Sequence, residues 1–430
     1  MIVLAPNHLR LRPQKKETPL SLTAAHIDLD RVDLMDEGLF EDGPPHELFA
    51  RMRAEAPVLQ GTAAEGGEFW SVTKAEDISA ISKNPELFSS ERQGVFIREG
   101  MPMPLDVLNQ VILGMDPPRH TKYRGIVQKA FTPRIVARQE EQIRGRITRL
   151  IDEVCERGEC DLVDALSVEL PLQVIAEMLG VPFEDRQKLF DWTHQIEQSV
   201  GDPSVSGVEA LGQIGLYLAE KVAHKRANPG DPDDLTTALI QAEVDGEQLN
   251  DFEIAAMFGL LMFAGNDTTR NTISGGTIAL IENPDQRAQL IEDPSLIDLA
   301  VEEIIRWVTP VMWFRRTPTQ DTEIRGVPVN EGDKVVLWYA SGSRDEETIF
   351  DPMHFDVSRD RVNHDGFGGG GRHFCLGSPL ARLELQLVFP EILRRMPDME
   401  LAGPIGRTRS NWVNGFTSVP VRFTPTAREG

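Results

Sequence analysis

Apolar residues recur every three or four positions through most of the chain, the spacing that gathers them on one face of an α-helix. On that pattern short helices are expected at 46–54 and 76–83, flanking a strand at 68–73. Helical spacing continues over 119–156 with a break at Thr132-Pro133, then over 163–180, 184–200 and 207–226, ahead of a polar loop at 227–234. The longest run covers 251–282; at 1.5 Å per residue it spans about 48 Å. Further helices are expected at 295–308 and 378–396. Strand-like pieces fall at 322–329 and 333–339, and Asn414-Gly415 predicts a tight hairpin turn. Strands are few and do not alternate with helices. The expected fold is therefore mainly α with small β sheets at one side, an α+β arrangement.

Composition adds bounds. The 430 residues are 40% apolar, enough for a large core. Size alone would allow two or three domains. No repeat or low-complexity segment divides the chain, so a single domain is expected over 19–430, after a loosely ordered tail at 1–18. The net charge of -24 repels phosphate backbones and anionic lipid, so no nucleic-acid partner is expected. The N-terminal apolar stretch is too short for a signal segment, and its charges follow it instead of preceding it. No run of about 18 apolar residues occurs, so no stable membrane insertion is expected. Three cysteines, Cys155, Cys160 and Cys375, make an odd and sparse set, which fits a reducing, cytoplasmic setting without a disulfide framework. Cys155 and Cys160 have no histidine or further cysteine nearby and read as structural thiols.

Chemistry concentrates in three places. Residues 366–377 read GFGGGGRHFCLG, in which four consecutive glycines precede the lone Cys375 and a helix follows. Glycine admits close backbone approach, and a helix N-terminus favours a thiolate. A thiolate fixed in a loop suits metal ligation. Gly366, Gly368 and Gly371 formally match a dinucleotide fingerprint, but no buried strand precedes them, which that motif requires. The second place is the long helix, apolar up to Ala264 and then abruptly polar at Gly265-Asn266-Asp267-Thr268-Thr269. Hydroxyls inside a helix compete for backbone carbonyls and can open a gap for water or a ligand. The third is Glu303 and Arg306, three apart and so on one helix face.

Taken together these residues resemble the cytochrome P-450 family of haem-thiolate monooxygenases. Phe367, Gly371, His373, Cys375 and Gly377 stand where that family carries its cysteine loop. Phe367 lies eight residues before Cys375, one more than the general pattern, so the loop backbone is expected to bulge. The GFGGGG form and the AGNDTTRN helix are similar to bacterial members that oxidise sterols, terpenoids and methyl-branched lipids. The resemblance implies haem b (iron protoporphyrin IX) with Cys375 as axial ligand, a donor that favours O–O cleavage. It implies that Ala264 and Gly265 leave room for dioxygen, that Thr268 holds hydrogen bonds on the oxygen-binding side, and that Asp267 relays protons from solvent. Heterolytic O–O cleavage consumes two protons, which general acids must deliver. It also implies that Glu303, Arg306 and Arg359 form a structural brace behind the haem. His120, Arg124, Arg316 and His373 would hold its propionates. Arg315, adjacent on a strand, would point the other way.

By the same resemblance the substrate pocket is lined by Met257, Leu261, Val311, Met312, Trp313, Val413 and Phe416. The loop 95–114 would add Val95, Phe96, Met101, Met103 and Leu105. These side chains are apolar and imply a small hydrophobic substrate. No reductase is fused to the chain, so the implied partners are O2 and a 2Fe-2S ferredoxin with its NAD(P)H reductase. The ferredoxin would dock on Lys122, Lys129, Arg372, Arg394 and Arg395. A peroxide-driven peroxygenase and a non-catalytic haem sensor are the rival readings; neither needs the Asp267-Thr268 pair.

Overall fold

The computed structural model describes residues 28–430 apart from 30–31, 64–65, 99–103, 202–204, 229–233 and 361–362. The N-terminal tail at 1–18, Met101 and Met103 lie outside the described residues. The helices that build the site are α1 (His46–Glu55), α2 (Ala75–Ser82), α3 (Arg119–Val127), α4 (Glu140–Asp152), α5 (Glu169–Met178), α6 (Arg186–Gly201), α7 (Gly207–Ala227), α8 (Asp251–Glu282), α9 (Ile297–Val308) and α10 (Ser378–Arg395).

Helix α8 starts where its sequence provides a reciprocal cap. The Asn250 side chain accepts the Glu253 N–H, and the Glu253 carboxylate accepts the Asn250 N–H, both at 3.0 Å. These bonds satisfy two of the donors that a helix start leaves unpaired. The helix then runs 32 residues through the middle of the main core, packed by α5, α7, α9 and α10. Between Ile254 and Met262 its buried positions alternate with half-buried ones, and from Thr269 to Leu280 every position is buried.

A five-stranded sheet flanks this helical layer. Its strands are β1 (Val58–Ala63), β2 (Gly67–Val72), β3 (Phe88–Ser89), β4 (Trp313–Pro318) and β5 (Val335–Trp338), in spatial order β1-β2-β5-β4-β3. β5 runs parallel to β2 and antiparallel to β4, with Val335 opposite Arg316 and Val336 opposite Arg315. A second core fills the space between this sheet and α1, where Phe40 and Phe49 pack on Trp338. Mainly helical structure with small sheets to one side is the arrangement expected.

Several local expectations change. The run at 119–156 divides into α3, a short turn Pro133–Val136 and α4, since Pro133 can begin a helix but not continue one. The run at 163–180 opens with a π-helical turn, Val163–Ser167, before α5. β1 was not foreseen, because VLQGTA carries a glycine and little alternation. The hairpin turn at Asn414-Gly415 is not formed. Strand Phe416–Ser418 pairs instead with Gly406–Arg407 across a longer loop. Asn414 is used as an anchor: its N–H donates to the Pro310 carbonyl (2.9 Å) and its side chain to the Val308 carbonyl (2.6 Å).

Candidate active site

A cavity of about 550 Å³ lies against α8 and reaches Cys375. Phe252, Ala256, Gly259, Phe263, Thr268 and Thr272 all border it, as do other residues of one side of α8. Twenty residues at 1.5 Å each make this wall about 30 Å long. Val208 on α7 and Phe252 on α8 border the cavity while remaining 54% exposed each. They mark its mouth.

Cys375 is the one of the three cysteines that borders the cavity. It stands just before α10, facing the backbone N–H groups of Gly377 and Ser378. Burial nevertheless pushes the thiol up from its ordinary value, outweighing those donors and Arg124. Those N–H groups act in the direction expected of a helix N-terminus, and a bound cation would favour the thiolate further. Within the loop Gly368, Gly370 and Gly371 stand at positive φ (+88°, +88° and +71°). Phe367 still borders the cavity, its carbonyl accepts the Cys375 N–H at 3.1 Å, and Arg382 stacks on its ring at 4.5 Å. Gly371 has a second constraint: a Cβ there would lie 2.1 Å from the Ser82 carbonyl oxygen on α2.

His120, Arg124, Arg316 and His373 converge on the same cavity. The His120 and His373 rings lie 4.5 Å apart. Burial, with Arg124, Arg372 and Arg316 nearby, lowers His120 to about 4. Burial and Arg316 also hold His373 well below its usual range. Both imidazoles are thus neutral at neutral pH. His120 is 1% exposed, and neither of its ring nitrogens has a hydrogen-bond partner. Arg124 bonds to the Phe374 carbonyl (2.7 Å) and Arg316 to the Arg315 carbonyl (2.7 Å). Among the described residues neither pairs with a carboxylate. Arg316 is a buried cation and His120 an orphaned imidazole, and a ligand bearing two carboxylates would give both a partner. Strand alternation turns Arg315 away, onto the Phe96 carbonyl (3.2 Å) and the Gln93 side chain.

On α8, Thr268 Oγ1 donates to the Ala264 carbonyl (2.8 Å), and Thr272 Oγ1 to the Thr268 carbonyl (2.8 Å). Ala264 faces the cavity. Gly265 also borders it, but its missing side chain admits Ile175 of α5, 2.9 Å from where a Cβ would stand. Asp267 departs from expectation. It is 1% exposed, lies 3.4 Å from Arg270, accepts from the Asn266 amide (3.2 Å) and does not border the cavity. One residue of helix rotates it about 100° from Thr268, away from the cavity.

The brace has its expected partners. Arg306 meets Glu303 through two bonds of 2.7 Å, and Arg359 reaches Glu303 at 3.1 Å. Glu302 pairs with Arg382 and His364 instead. Of the expected pocket residues, Leu261 and Val311 border the cavity, as does Phe96. Met257, Met312, Trp313, Val413 and Phe416 do not, nor do Val95 and Leu105. Met257 packs in the helical core. β4 turns Phe314 and Arg316 inward and so turns Trp313 outward, where its indole donates to the Asn411 carbonyl (2.9 Å). Met312 and Val413 fill the core behind the sheet. Phe416 packs on Gly275 and under Arg407. Trp412 takes the place foreseen for its neighbours, stacked on Phe263 (5.8 Å) and edge-on to Phe96 (5.2 Å). The docking patch is also reduced. Arg395 is buried against Asp152, Arg394 pairs with Glu391 and Glu429, and Lys122 pairs with Asp245. Lys129 and Arg372 remain exposed.

Residues 208–397 match the Cytochrome P450 family model. Over 422 residues the chain is 40% identical to a methyl-branched lipid omega-hydroxylase of Mycobacterium tuberculosis, covering 94% of this chain and 96% of that one. The chain belongs to the cytochrome P450 family. It is also 38% identical over 408 residues to a steroid C26-monooxygenase of M. tuberculosis, covering 91% of this chain and 92% of that one. A Mycobacterium marinum cytochrome P450 solved in complex with pseudoionone superposes with a TM-score of 0.81 at 39% identity, over 88% of this chain and 94% of that one. This cytochrome P450 is a monooxygenase of the haem-thiolate class. Among its described residues no helix is long and apolar enough to cross a membrane.

Proposed function

We propose that this P450 hydroxylates a long, hydrophobic lipid, a branched-chain or sterol side chain or a terpenoid, using haem b held by the Cys375 thiolate. The cavity wall carries this reading: an apolar corridor along α8 opens at Val208 and Phe252 and ends at Cys375. The lipids and steroids named for the relatives support the same substrate class.

When bound, thiolate-ligated haem supplies dioxygen activation and insertion of one oxygen atom into a C–H bond. Around it, this chain's residues bind and orient. Arg124 and Arg316 would hold the two carboxylates of the macrocycle, with His120 as a neutral imidazole beside them, while His373 is steadied at the same wall by Ser90 and the Met115 backbone. Glu303, Arg306 and Arg359 fix the segment behind the cysteine loop. Phe96, Phe263, Phe314 and Trp412 exclude water from the substrate's reacting carbon. Thr268 Oγ1, seated on the Ala264 carbonyl, can turn its hydroxyl toward the cavity and hold a proton there. Asp267 carries the carboxylate that refills it when the contact with Arg270 opens. Electrons come from a 2Fe-2S ferredoxin and its NAD(P)H reductase, meeting the protein near Lys129 and Arg372.

Thr268→Ala tests this assignment. With ferredoxin, reductase and a long-chain branched lipid, the variant is expected to bind haem and substrate normally. It should consume NAD(P)H while diverting most reducing equivalents to hydrogen peroxide. Unchanged product per NAD(P)H would remove Thr268 from the proton route. Product formed with peroxide alone at the full rate would favour the peroxygenase reading.

A further inference from the structure

Two adjacent glutamates stand on α9, and only Glu303 belongs to the brace. Glu302 comes one position earlier, about 100° around the helix. Its carboxylate takes Arg382 of α10 through Nε (2.5 Å) and Nη2 (2.9 Å), a bidentate pair. The same carboxylate meets His364 Nε2 at 3.2 Å. Desolvation would push the Glu302 carboxyl up, but Arg382 and His364 hold it down to about 2, so it is ionised at neutral pH. These two partners flank the cysteine loop. His364 stands at its entry, where Nδ1 accepts the Gly366 N–H (3.1 Å). Arg382 follows Cys375 by seven residues and lays its guanidinium over the Phe367 ring at 4.5 Å. The carbonyl of that same Phe367 accepts the Cys375 N–H. Arg124 and Arg382 are cations that bear on the Cys375 sulfur. A surface ion pair is usually worth little, but this guanidinium is fixed by an aromatic face and a two-point carboxylate. Neither Glu302 nor Arg382 borders the cavity.

We propose that Glu302 fixes the Arg382 guanidinium against the cysteine loop, and that this fixed cation sets the reduction potential of the bound haem. This rests on the reading of Cys375 as the iron ligand. Reduction adds one electron from an external reductant, turns ferric iron ferrous and breaks no bond in the protein. The added electron makes the iron and its sulfur ligand more negative. A cation at the loop stabilises that charge, so Arg382 raises the potential. The Glu302 carboxylate behind it offsets part of the rise. Both are positioning residues: Arg382 acts through the loop, and Glu302 acts through Arg382.

Reductive titration of the haem-loaded protein, followed by absorption, reads this potential without substrate, ferredoxin or turnover. At a fixed poise Arg382→Gln should shift the ferric–ferrous equilibrium several-fold toward ferric. Arg382→Lys, which keeps the charge, should shift it much less. Glu302→Gln removes the opposing charge while its amide can still accept from Arg382, and should shift the equilibrium several-fold toward ferrous. Opposite directions mark a charge effect, since a merely loosened loop would move every variant the same way. Should Arg382→Gln lose its haem, Glu302→Gln decides alone. The carbon monoxide spectrum of the native protein keeps the two readings apart. Without the thiolate band, the ligand reading and this proposal fall together. With the band present, a native potential in these variants, or shifts of Arg382→Gln and Glu302→Gln in one direction, would overturn this proposal alone.

Discussion

Asp365 is the clearest case of a single residue whose ionisation works against the fold. It is fully enclosed beneath the cysteine loop, and burial with Asp345 nearby raises its carboxyl to about 7, with Lys83 opposing. Between pH 4 and 7 the folded protein keeps a proton that the unfolded chain has released. Stability therefore falls as the pH rises through that window, by at most about 1.4 kcal/mol per pH unit. Asp365→Asn removes the penalty. Its melting temperature should match the native protein near pH 4 and exceed it by a growing margin up to pH 7, then hold constant. A gap that did not vary with pH would contradict the burial account. At this scale the sequence was partly legible. Alternation on β4 correctly separated Arg315 from Arg316, and the same rule would have turned Trp313 outward. The burial of Asp267 against Arg270 was not legible, because it depends on how α8 is rotated among its neighbours.

At the scale of elements, α8 was readable to its ends. Thirty-two residues of continuous helical spacing outweigh any local ambiguity, and Asn250 and Glu253 fix the start. Short strands and loops were less readable, since tertiary partners decide them. Asn414-Gly415 has the composition of a turn, yet Asn414 is held by the Val308 and Pro310 carbonyls. The cysteine loop shows the same dependence on a partner. Its glycines were visible as a motif, but the reason for Gly371 lies on α2. A methyl group there would collide with the Ser82 carbonyl and would also occupy a left-handed backbone position. Gly371→Ala is expected to displace the loop, lowering haem retention several-fold under gel filtration. Haem content equal to that of the native protein would mean that the loop and α2 separate at little cost.

For the whole molecule, the family and the mainly α fold followed from three motifs in order along the chain. The substrate corridor did not, because its wall combines α7, α8, α9, α10, β4 and the 411–416 loop. A sequence assigns residues to elements but not to a shared surface. The corridor makes a prediction at this scale. Phe252 sits at the mouth, far from Cys375 along α8. Phe252→Asp should weaken binding of a long-chain lipid several-fold, since the exposed end of the ligand loses an apolar partner. Binding of a short substrate seated near Cys375 should be unchanged. Equal effects on both would mean that ligands do not extend to this opening.

The central claim is that Cys375 is the working iron ligand in a cavity built for haem. The most direct test is the absorption spectrum of the reduced protein under carbon monoxide. The account predicts a strongly red-shifted Soret band, the signature of thiolate ligation, lost in Cys375→Ser. A Soret band at the position typical of histidine-ligated haem, or one unaffected by that substitution, would contradict it.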